Sequence, residues 1–126
     1  MERIFFGAGS ILAFLGVALG AFGAHGLKAY FQSNPDLQPV FKTATDYHLM
    51  HSLAILAAGW ASGKWPGAWT HTAGYLFIAG VILFSGSLYA YTLTRLKTWG
   101  MIAPIGGLSF MVGWLCLAIG AFRGGR

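Results

Sequence analysis

The sequence contains long stretches without a single Asp, Glu, Lys or Arg. Three of them cover residues 4–27, 65–94 and 98–122, and a shorter one covers residues 47–63. An α-helix rises about 1.5 Å per residue, so roughly 20 apolar residues cross the hydrocarbon core of a bilayer, which is about 30 Å thick. Stretches of this length therefore predict transmembrane helices and leave little room for any other fold.

The composition favours a membrane protein and argues against a soluble one. Hydrophobic residues make up 56% of the 126 residues, and charged residues make up only 9%. A soluble domain carries about 25% charged residues, which it needs to cover its surface. The net charge of +5 comes from Lys and Arg residues that stand between uncharged stretches, which is typical of anchoring to anionic lipid headgroups. We therefore expect the lipid bilayer as a partner and no nucleic acid.

The loops between these stretches set the topology. A polar segment over residues 33–39 ends in Pro39, which we predict to be the first residue of the second helix. Residues 64–67 form a short turn, so the helices on either side of it must run antiparallel. We predict a single all-α domain over residues 1–126, an integral membrane four-helix bundle with antiparallel neighbouring spans and short loops. The spans are expected at about residues 4–24, 41–62, 72–93 and 100–122.

The distribution of Lys and Arg does not decide the orientation of such a bundle. Four spans place both termini on one side of the membrane, and cytoplasmic loops usually carry the excess of Lys and Arg. The two sides carry the same number of Lys and Arg residues. The terminal side carries Arg3, Lys64, Arg123 and Arg126, and the opposite side carries Lys28, Lys42, Arg95 and Lys97.

Small residues recur at helical spacing in the first and last spans. In the first span they are Gly9, Ala13, Gly16, Gly20 and Ala24, and in the last span they are Gly106, Ser109, Gly113, Cys116 and Gly120. Lipid offers no hydrophobic drive between helices, so close backbone approach and dispersion must hold them together. We favour packing within the bundle for these faces. A homo-oligomer joined through at least one of them is the other interpretation, and both can hold.

One group of polar residues is the candidate ligand-binding site. It consists of His25, Asp46, His48, His51, Ser85 and Tyr89, from the end of span one, the start of span two and the end of span three. Because spans alternate in direction, we expect these residues at a similar depth in the membrane. We predict that His25 and His51 approach each other near the interfacial plane, with Ser85 or Tyr89 as a partner.

Three interpretations of this group compete. The histidines can form hydrogen bonds between helices, which we favour. His25, His48 and His51 can alternatively hold zinc or copper, but no Cys or pair of carboxylates supports such a site, so we predict no metal and no cofactor. The third interpretation is a site for a proton or small ligand that uses Asp46, His51 and Tyr89. No nucleophile with an oriented base is present in the pattern, so we predict that the protein is not an enzyme.

Four ordered motifs carry a family resemblance. They are GAFGAHGL at residues 20–27, YHLMHSLA at 47–54, FSGSLY at 84–89, and PIGG at 104–107 followed by Gly-Trp at 113–114. The chain resembles, over nearly its whole length, the YgdD-like family of small four-span membrane proteins. That family is a domain of unknown function from bacterial inner membranes, and it also includes a small mitochondrial transmembrane protein of animals. The resemblance implies a multi-pass inner-membrane protein with His25, His51, Ser85, Ser87 and Tyr89 as family polar positions, and it implies no activity.

Two functions are left by these observations. The first is a structural or interaction component of the membrane, in a homo-oligomer or a larger membrane complex. The alternative is a binding or transport module for a proton, a metal ion or a small polar ligand at the His/Ser/Tyr group. A structural role predicts a closed interior, whereas a ligand role predicts a cavity that reaches His25 and His51.

Overall fold

The computed structural model describes residues 1–124, and within that range all regular secondary structure is helical. The helices are α1 (Glu2–His25), α2 (Lys28–Ser33), α3 (Gln38–Lys64), α4 (Ala68–Gly80), α5 (Gly86–Thr94), α6 (Lys97–Gly100) and α7 (Ala103–Phe122). A π-helical segment, Val81–Ser85, joins α4 to α5 without a break. The all-α prediction is therefore confirmed. Arg126, which was counted with the cations of the terminal side, lies outside the described residues.

Proline marks the start of two long helices. Pro39 is the second residue of α3 and Pro104 is the second residue of α7. The first turn of a helix has backbone N–H groups without partners inside the helix, so a proline there loses no hydrogen bond. Helix α3 begins at Gln38, one residue earlier than predicted. The last long helix, α7, begins at Ala103, after a short turn that follows α6.

Three helical segments of the described chain are long and apolar enough to cross a membrane. They are Glu2–His25, Ala68–Thr94 and Lys97–Phe122, with 24, 27 and 26 residues. Helix α3 has 27 residues but is less hydrophobic. Its hydropathy is lower because charged residues lie near its two ends and polar residues occupy its inward face. The buried polar residues are Thr45, His48, His51, Ser52 and Ser62.

Helix α3 lies at the centre of the helix arrangement. It packs against α1 on one side and against α4, the π-helical segment and α5 on the other, while α7 packs mainly on α4. The main core contains Phe5, Ile55, Phe77 and Phe110, which come from four different helices. A smaller apolar cluster of Phe31, Leu37 and Phe41 closes one end of the bundle.

Glycines on α7 allow a close approach to the preceding helices. A Cβ atom on Gly106 would overlap the backbone of Phe84, and one on Gly113 would lie 2.8 Å from the ring of Phe77. Gly120 meets α4 in the same way near its first turn. The small-residue face of the last span is thus occupied by helices of the same chain.

Glycines on α1 face α3, but they are not quite the expected set. A Cβ atom on Gly9 would lie 2.9 Å from the carbonyl oxygen of Ser52, and one on Gly16 would lie 2.7 Å from Leu49. A Cβ on Gly20, in contrast, would have no heavy atom within 4 Å. Gly23 takes its place, since its backbone lies against the ring of Phe41. The prediction that Gly20 packs against another helix is wrong.

The outer surface of the bundle is covered by large apolar side chains. Phe14 on α1 is 71% exposed and Met111 on α7 is 66% exposed, and many others resemble them. A water-soluble protein rarely exposes contiguous apolar surface on this scale, whereas hydrocarbon chains solvate it without cost. The surface is therefore suited to contact with lipid.

Contacts among the described residues define two ends. At the first, which we call the terminal end, Tyr75 on α4 donates a hydrogen bond to the sulfur of Met1 at 3.3 Å, and the carboxylate of Glu2 lies against Gly63. At the second, which we call the α2 end, the Tyr30 hydroxyl donates to the backbone carbonyl of Thr92 at 2.6 Å. The α2 end thus gathers α2, the start of α3 and the end of α5.

Candidate functional site

His48 links three helices through both of its ring nitrogens. It is 3% exposed, and its Nε2 lies 2.7 Å from the carbonyl oxygen of Leu12 on α1. Its Nδ1 lies 2.8 Å from the Tyr89 hydroxyl on α5. A carbonyl oxygen can only accept, so the proton of the neutral ring belongs on Nε2, and Nδ1 accepts from the hydroxyl. His48 therefore holds α1, α3 and α5 together.

His51 uses its two nitrogens in the opposite way. It is 2% exposed, its Nδ1 lies 2.9 Å from the carbonyl oxygen of Tyr47, and its Nε2 lies 3.0 Å from the indole nitrogen of Trp114 on α7. The indole N–H can only donate, so Nε2 must accept and the ring proton belongs on Nδ1. Protonation of both nitrogens would set two N–H groups against each other. His51 thus ties α3 to α7 as a neutral ring.

Aromatic rings surround His51 on the side of α7. Its ring stacks on Phe110 with centroids 3.6 Å apart and planes 12° apart. Phe77 and Trp114 both contribute ring contacts at 5.8 Å. Such packing fixes the orientation of the imidazole and excludes water from it.

The hydroxyl groups near the histidines bind backbone carbonyls. Ser85 is fully buried and donates to the carbonyl of Ala44 on α3 at 2.8 Å, and Ser52 donates to the carbonyl of His48 at 2.7 Å. Ser85 is the last residue of the π-helical segment. No buried side-chain nitrogen or oxygen among residues 1–124 lacks a hydrogen-bond partner. The hydrogen-bonding capacity of this interior is already used.

The structure does not bring His25 to the other histidines. His25 is the exposed last residue of α1, whereas Gly23, two residues earlier, packs on Phe41. His51 follows Phe41 by ten residues on the neighbouring helix, so the two histidines lie roughly 18 Å apart along the bundle axis. The prediction that they approach each other is wrong. Even with span two starting near residue 41, ten residues of helix rise about 15 Å before His51, so His51 lies far deeper in the bundle than the end of α1.

Asp46 also lies away from the two buried histidines, His48 and His51. Its carboxylate is exposed and forms an ion pair with Lys42, one turn earlier on α3, at 2.7 Å. Tyr89 pairs with His48 rather than with His51. In the described part of the chain no three His, Cys, Asp or Glu side chains come together as a metal site would require. The arrangement of three histidines that was considered from the sequence does not form.

A groove of about 640 Å³ runs along the outer face of the bundle beside His51. Its walls come from α3, the π-helical segment and α7, and they include Tyr47, Met50, His51, Phe84, Phe110, Met111 and Trp114. The walls are mostly apolar, and several of these side chains are exposed, so the groove opens outward. The cavity therefore reaches His51 and not His25.

Sequence reasoning missed Trp114 as a partner of His51. A tryptophan in the middle of a predicted span, far from the aromatic belts at the interfaces, was the available signal. An indole N–H at that depth needs an acceptor, because neither lipid nor water provides one there. The carbonyl of Leu12, which His48 binds, had no signal in the sequence, since every residue carries such a group.

Comparisons with known proteins agree with this architecture. The sequence model of a family described as "Protein of unknown function (DUF423)" matches residues 19–107. A UPF0382 membrane protein of Staphylococcus aureus (strain bovine RF122 / ET3-1) is 41% identical over 96% of this chain and 97% of its own length. The UPF0382 membrane protein YwdK of Bacillus subtilis (strain 168) is 40% identical over 96% of this chain and 98% of its own.

The name of a third relative specifies the inner membrane. The UPF0382 inner membrane protein YgdD of Escherichia coli (strain K12) is 37% identical over 90% of this chain and 86% of its own. No solved structure matches the chain. The resemblance to the YgdD-like family is thereby confirmed, and with it the location in the bacterial inner membrane. The chain belongs to the DUF423 family, as a UPF0382 inner-membrane protein.

Proposed function

We propose that the protein is a structural or interaction component of the bacterial inner membrane, built as a four-span bundle with antiparallel neighbours. The observation that carries this proposal is the closed polar interior. Both buried histidines use both ring nitrogens on groups of the same chain, and the nearby serine hydroxyls donate to backbone carbonyls. An interior of this kind holds helices together and leaves no group ready to bind a polar ligand.

The antiparallel order of the spans is supported by contacts that run in opposite directions along paired helices. Later glycines of α1 meet earlier residues of α3, and the same holds for α7 on the third span. The pairs are Gly9 with Leu56, Gly16 with Leu49, Gly23 with Phe41, Gly106 with Phe84, Gly113 with Phe77 and Gly120 with Thr70.

Helix α3 is the span whose assignment depends most on the fold. Between Tyr47 and Gly63 its polar side chains face other helices, while Met50, Leu53 and Trp60 are exposed on its outer side. Its 27 residues reach about 40 Å, which exceeds the hydrocarbon thickness of about 30 Å. Polar groups inside a bundle do not meet lipid, so a modest hydropathy is compatible with crossing the membrane.

A labelling experiment tests the topology. In a Cys116→Ala background, Asp36→Cys and Pro66→Cys place single exposed thiols in the loops before and after α3. A membrane-impermeant thiol reagent applied to intact spheroplasts should label one of the two, and both should react after lysis. Labelling of both from the same side would refute the assignment of α3 as a span.

The absence of catalysis is also part of this proposal. Ser52 and Ser85 are the serines that lie beside His48 and His51, and both hydroxyls donate to backbone carbonyls. Neither has a histidine nitrogen as an acceptor, which is what a serine nucleophile needs from its base. No cofactor is proposed.

The alternative function, a binding module for a small ligand, is favoured by the groove beside His51. Because the groove is mostly apolar and opens outward, its ligand would be lipophilic. The structural role and the binding role predict that different molecules stay bound to the purified protein.

Affinity purification in mild detergent tests both functions. Mass spectrometry of the proteins, lipids and metals that copurify should find a protein partner or a homo-oligomer at a fixed ratio. The same partners should be retained by His51→Phe, because this variant changes the groove but not the outer apolar surface. A stoichiometric small molecule that disappears in His51→Phe would favour the binding module and overturn the structural role.

A further inference from the structure

Two adjoining cavities form a single crevice at the α2 end. Their volumes are about 160 Å³ and about 350 Å³, and they share the lining residues Gly23, Ala24, Phe31 and Gln38. The crevice lies between the end of α1, the short helix α2 and the start of α3. We call it the α2 crevice.

The two parts of the α2 crevice differ in polarity. The smaller cavity, which we call the floor, is mostly apolar: Gly20 and Phe41 line it, Lys42 and Thr45 add its polar atoms, and nothing lies within 4 Å of where a Cβ on Gly20 would be. The larger cavity, which we call the mouth, is lined by Lys28 and Gln32 on the side of α2. A ligand that fills the whole crevice must therefore be apolar at one end and polar at the other.

The charges of the crevice favour an anionic ligand. Its lining contains Lys28 and Lys42 and no carboxylate. Lys42 is paired with Asp46, whereas Lys28 takes part in no ion pair within residues 1–124. Two further cations, Arg95 and Lys97, belong to the same end of the bundle. An ammonium group at the headgroup level attracts a phosphate, and glutamine side chains add hydrogen-bond donors.

The geometry points to an anionic phospholipid as the occupant: we propose that its phosphate binds at Lys28 and one acyl chain lies along Gly20 and Gly23. This assignment rests on the proposed topology, which puts the α2 end in the headgroup layer. A helix of a partner protein is about 10 Å wide and needs far more room than cavities of about 160 Å³ and about 350 Å³ provide. Free phosphate would use the mouth and leave the apolar floor empty.

Lipid binding to the purified full-length protein tests the proposal. Native mass spectrometry in detergent, with dioleoyl phosphatidylglycerol and dioleoyl phosphatidylcholine as separate probes, gives the affinity for each lipid. Phosphatidylglycerol should bind more tightly. Lys28→Gln should weaken it about fivefold, which is the contribution of one lysine near an anionic headgroup. Gly20→Leu fills the floor and should weaken it about tenfold through loss of acyl-chain contact.

Two matched variants control for charge and for bulk. Lys97→Gln removes one charge from the same end but outside the crevice, and Gly7→Leu adds the same side chain to α1 where there is also open space. Both should bind phosphatidylglycerol like the wild type. An equal loss of phosphatidylglycerol affinity in Lys28→Gln and Lys97→Gln would indicate diffuse electrostatic attraction without a specific site, and it would overturn the proposal.

Two further results would also overturn it. One is displacement of phosphatidylglycerol by millimolar inorganic phosphate, which would assign the site to the free anion. The other is unchanged binding in both Lys28→Gln and Gly20→Leu. Lys28 is exposed and Gly20 faces open space, so both variants should keep the fold and the test is decisive. The measurement needs no protein partner, so its failure is distinct from failure of the structural role.

Discussion

Replacing Trp114 with Phe removes the indole N–H that donates to His51 Nε2 and leaves that nitrogen buried without a partner. The donor and acceptor nitrogens are 3.0 Å apart, and His51 is 2% exposed. Trp114 itself is 44% exposed on the lipid side, so lipid chains can replace most of the contacts that its larger ring makes. The loss of stability should therefore come mainly from the hydrogen bond.

The size of this loss follows from the burial of the acceptor. An unsatisfied buried acceptor costs about 1–3 kcal/mol, and hydrogen bonds between transmembrane helices have coupling energies of about 0.6 kcal/mol on average and about 1.7 at most. Because His51 is sealed by stacking on Phe110, we expect a coupling near the upper limit. His51→Phe and Trp114→Phe should each destabilise the bundle. The double variant should be more stable than the sum of the two losses predicts, by about 1–2 kcal/mol.

Unfolding by sodium dodecyl sulfate in mixed micelles measures this coupling. Far-UV circular dichroism should report the transition, since tryptophan fluorescence changes with the substitution itself. Trp99→Phe is the matched control, because Trp99 is 40% exposed and its indole makes no side-chain hydrogen bond in the described chain. It should change the free energy of unfolding by less than about 0.5 kcal/mol. Additive losses in the double variant would refute the bond between His51 and Trp114.

Three further predictions concern single contacts, and the same unfolding assay checks all of them. Gly106→Leu should cost on the order of a few kcal/mol, because its side chain would meet backbone atoms that cannot move aside. Gly16→Leu should destabilise the bundle in the same way, whereas Gly20→Leu should be nearly neutral, and equal effects would contradict the packing of α1. Tyr89→Phe should cost about 0.6–1.7 kcal/mol by removing a histidine's donor, while Asp46→Asn should leave stability within about 1 kcal/mol.

The long helices could be predicted because their signal is strong and physical. A run of some 20 residues without charge has few stable states in a cell other than a membrane helix. The end of the third segment at Thr94, just before Arg95, follows directly from that rule. The π-helical segment at Val81–Ser85 has no comparable signal, since it depends on how this helix fits against α3 and α7.

The packing face of α1 shows how a small error in period moves a prediction. Gly9, Gly16 and Gly23 are spaced by seven residues, as are Gly106 and Gly113. Packed helices keep a seven-residue repeat on the contact line, because they wind at about 3.5 residues per turn. At that winding Gly20 lies about 50° off the contact line that the other α1 glycines define. A packing face predicted from sequence spacings of three and four residues cannot tell whether Gly20 or Gly23 lies at the contact with α3.

The depth of the polar residues was less predictable than their presence. His25, His48 and His51 were expected at a similar depth because neighbouring spans alternate in direction. Depth depends on where the helix begins in space, and α3 continues for more than three turns between Gln38 and His51. Partners such as the carbonyl of Leu12 become visible only when the neighbouring helix is in place.

Glycine-lined contacts also have a mechanical consequence. Glycines on α1 and α7 recur every seven residues and receive side chains such as Phe41 and Phe77, so a shift of two turns, about 10.5 Å, would place these side chains opposite other glycines with little steric resistance. The bonds from His48 to Leu12 and from His51 to Trp114 exist at only one such offset. The two histidines therefore select one axial position of each helix relative to its neighbour. Without them the bundle would keep its helices but populate several offsets, which distance measurements between spin labels on α1 and α3 would resolve as more than one peak.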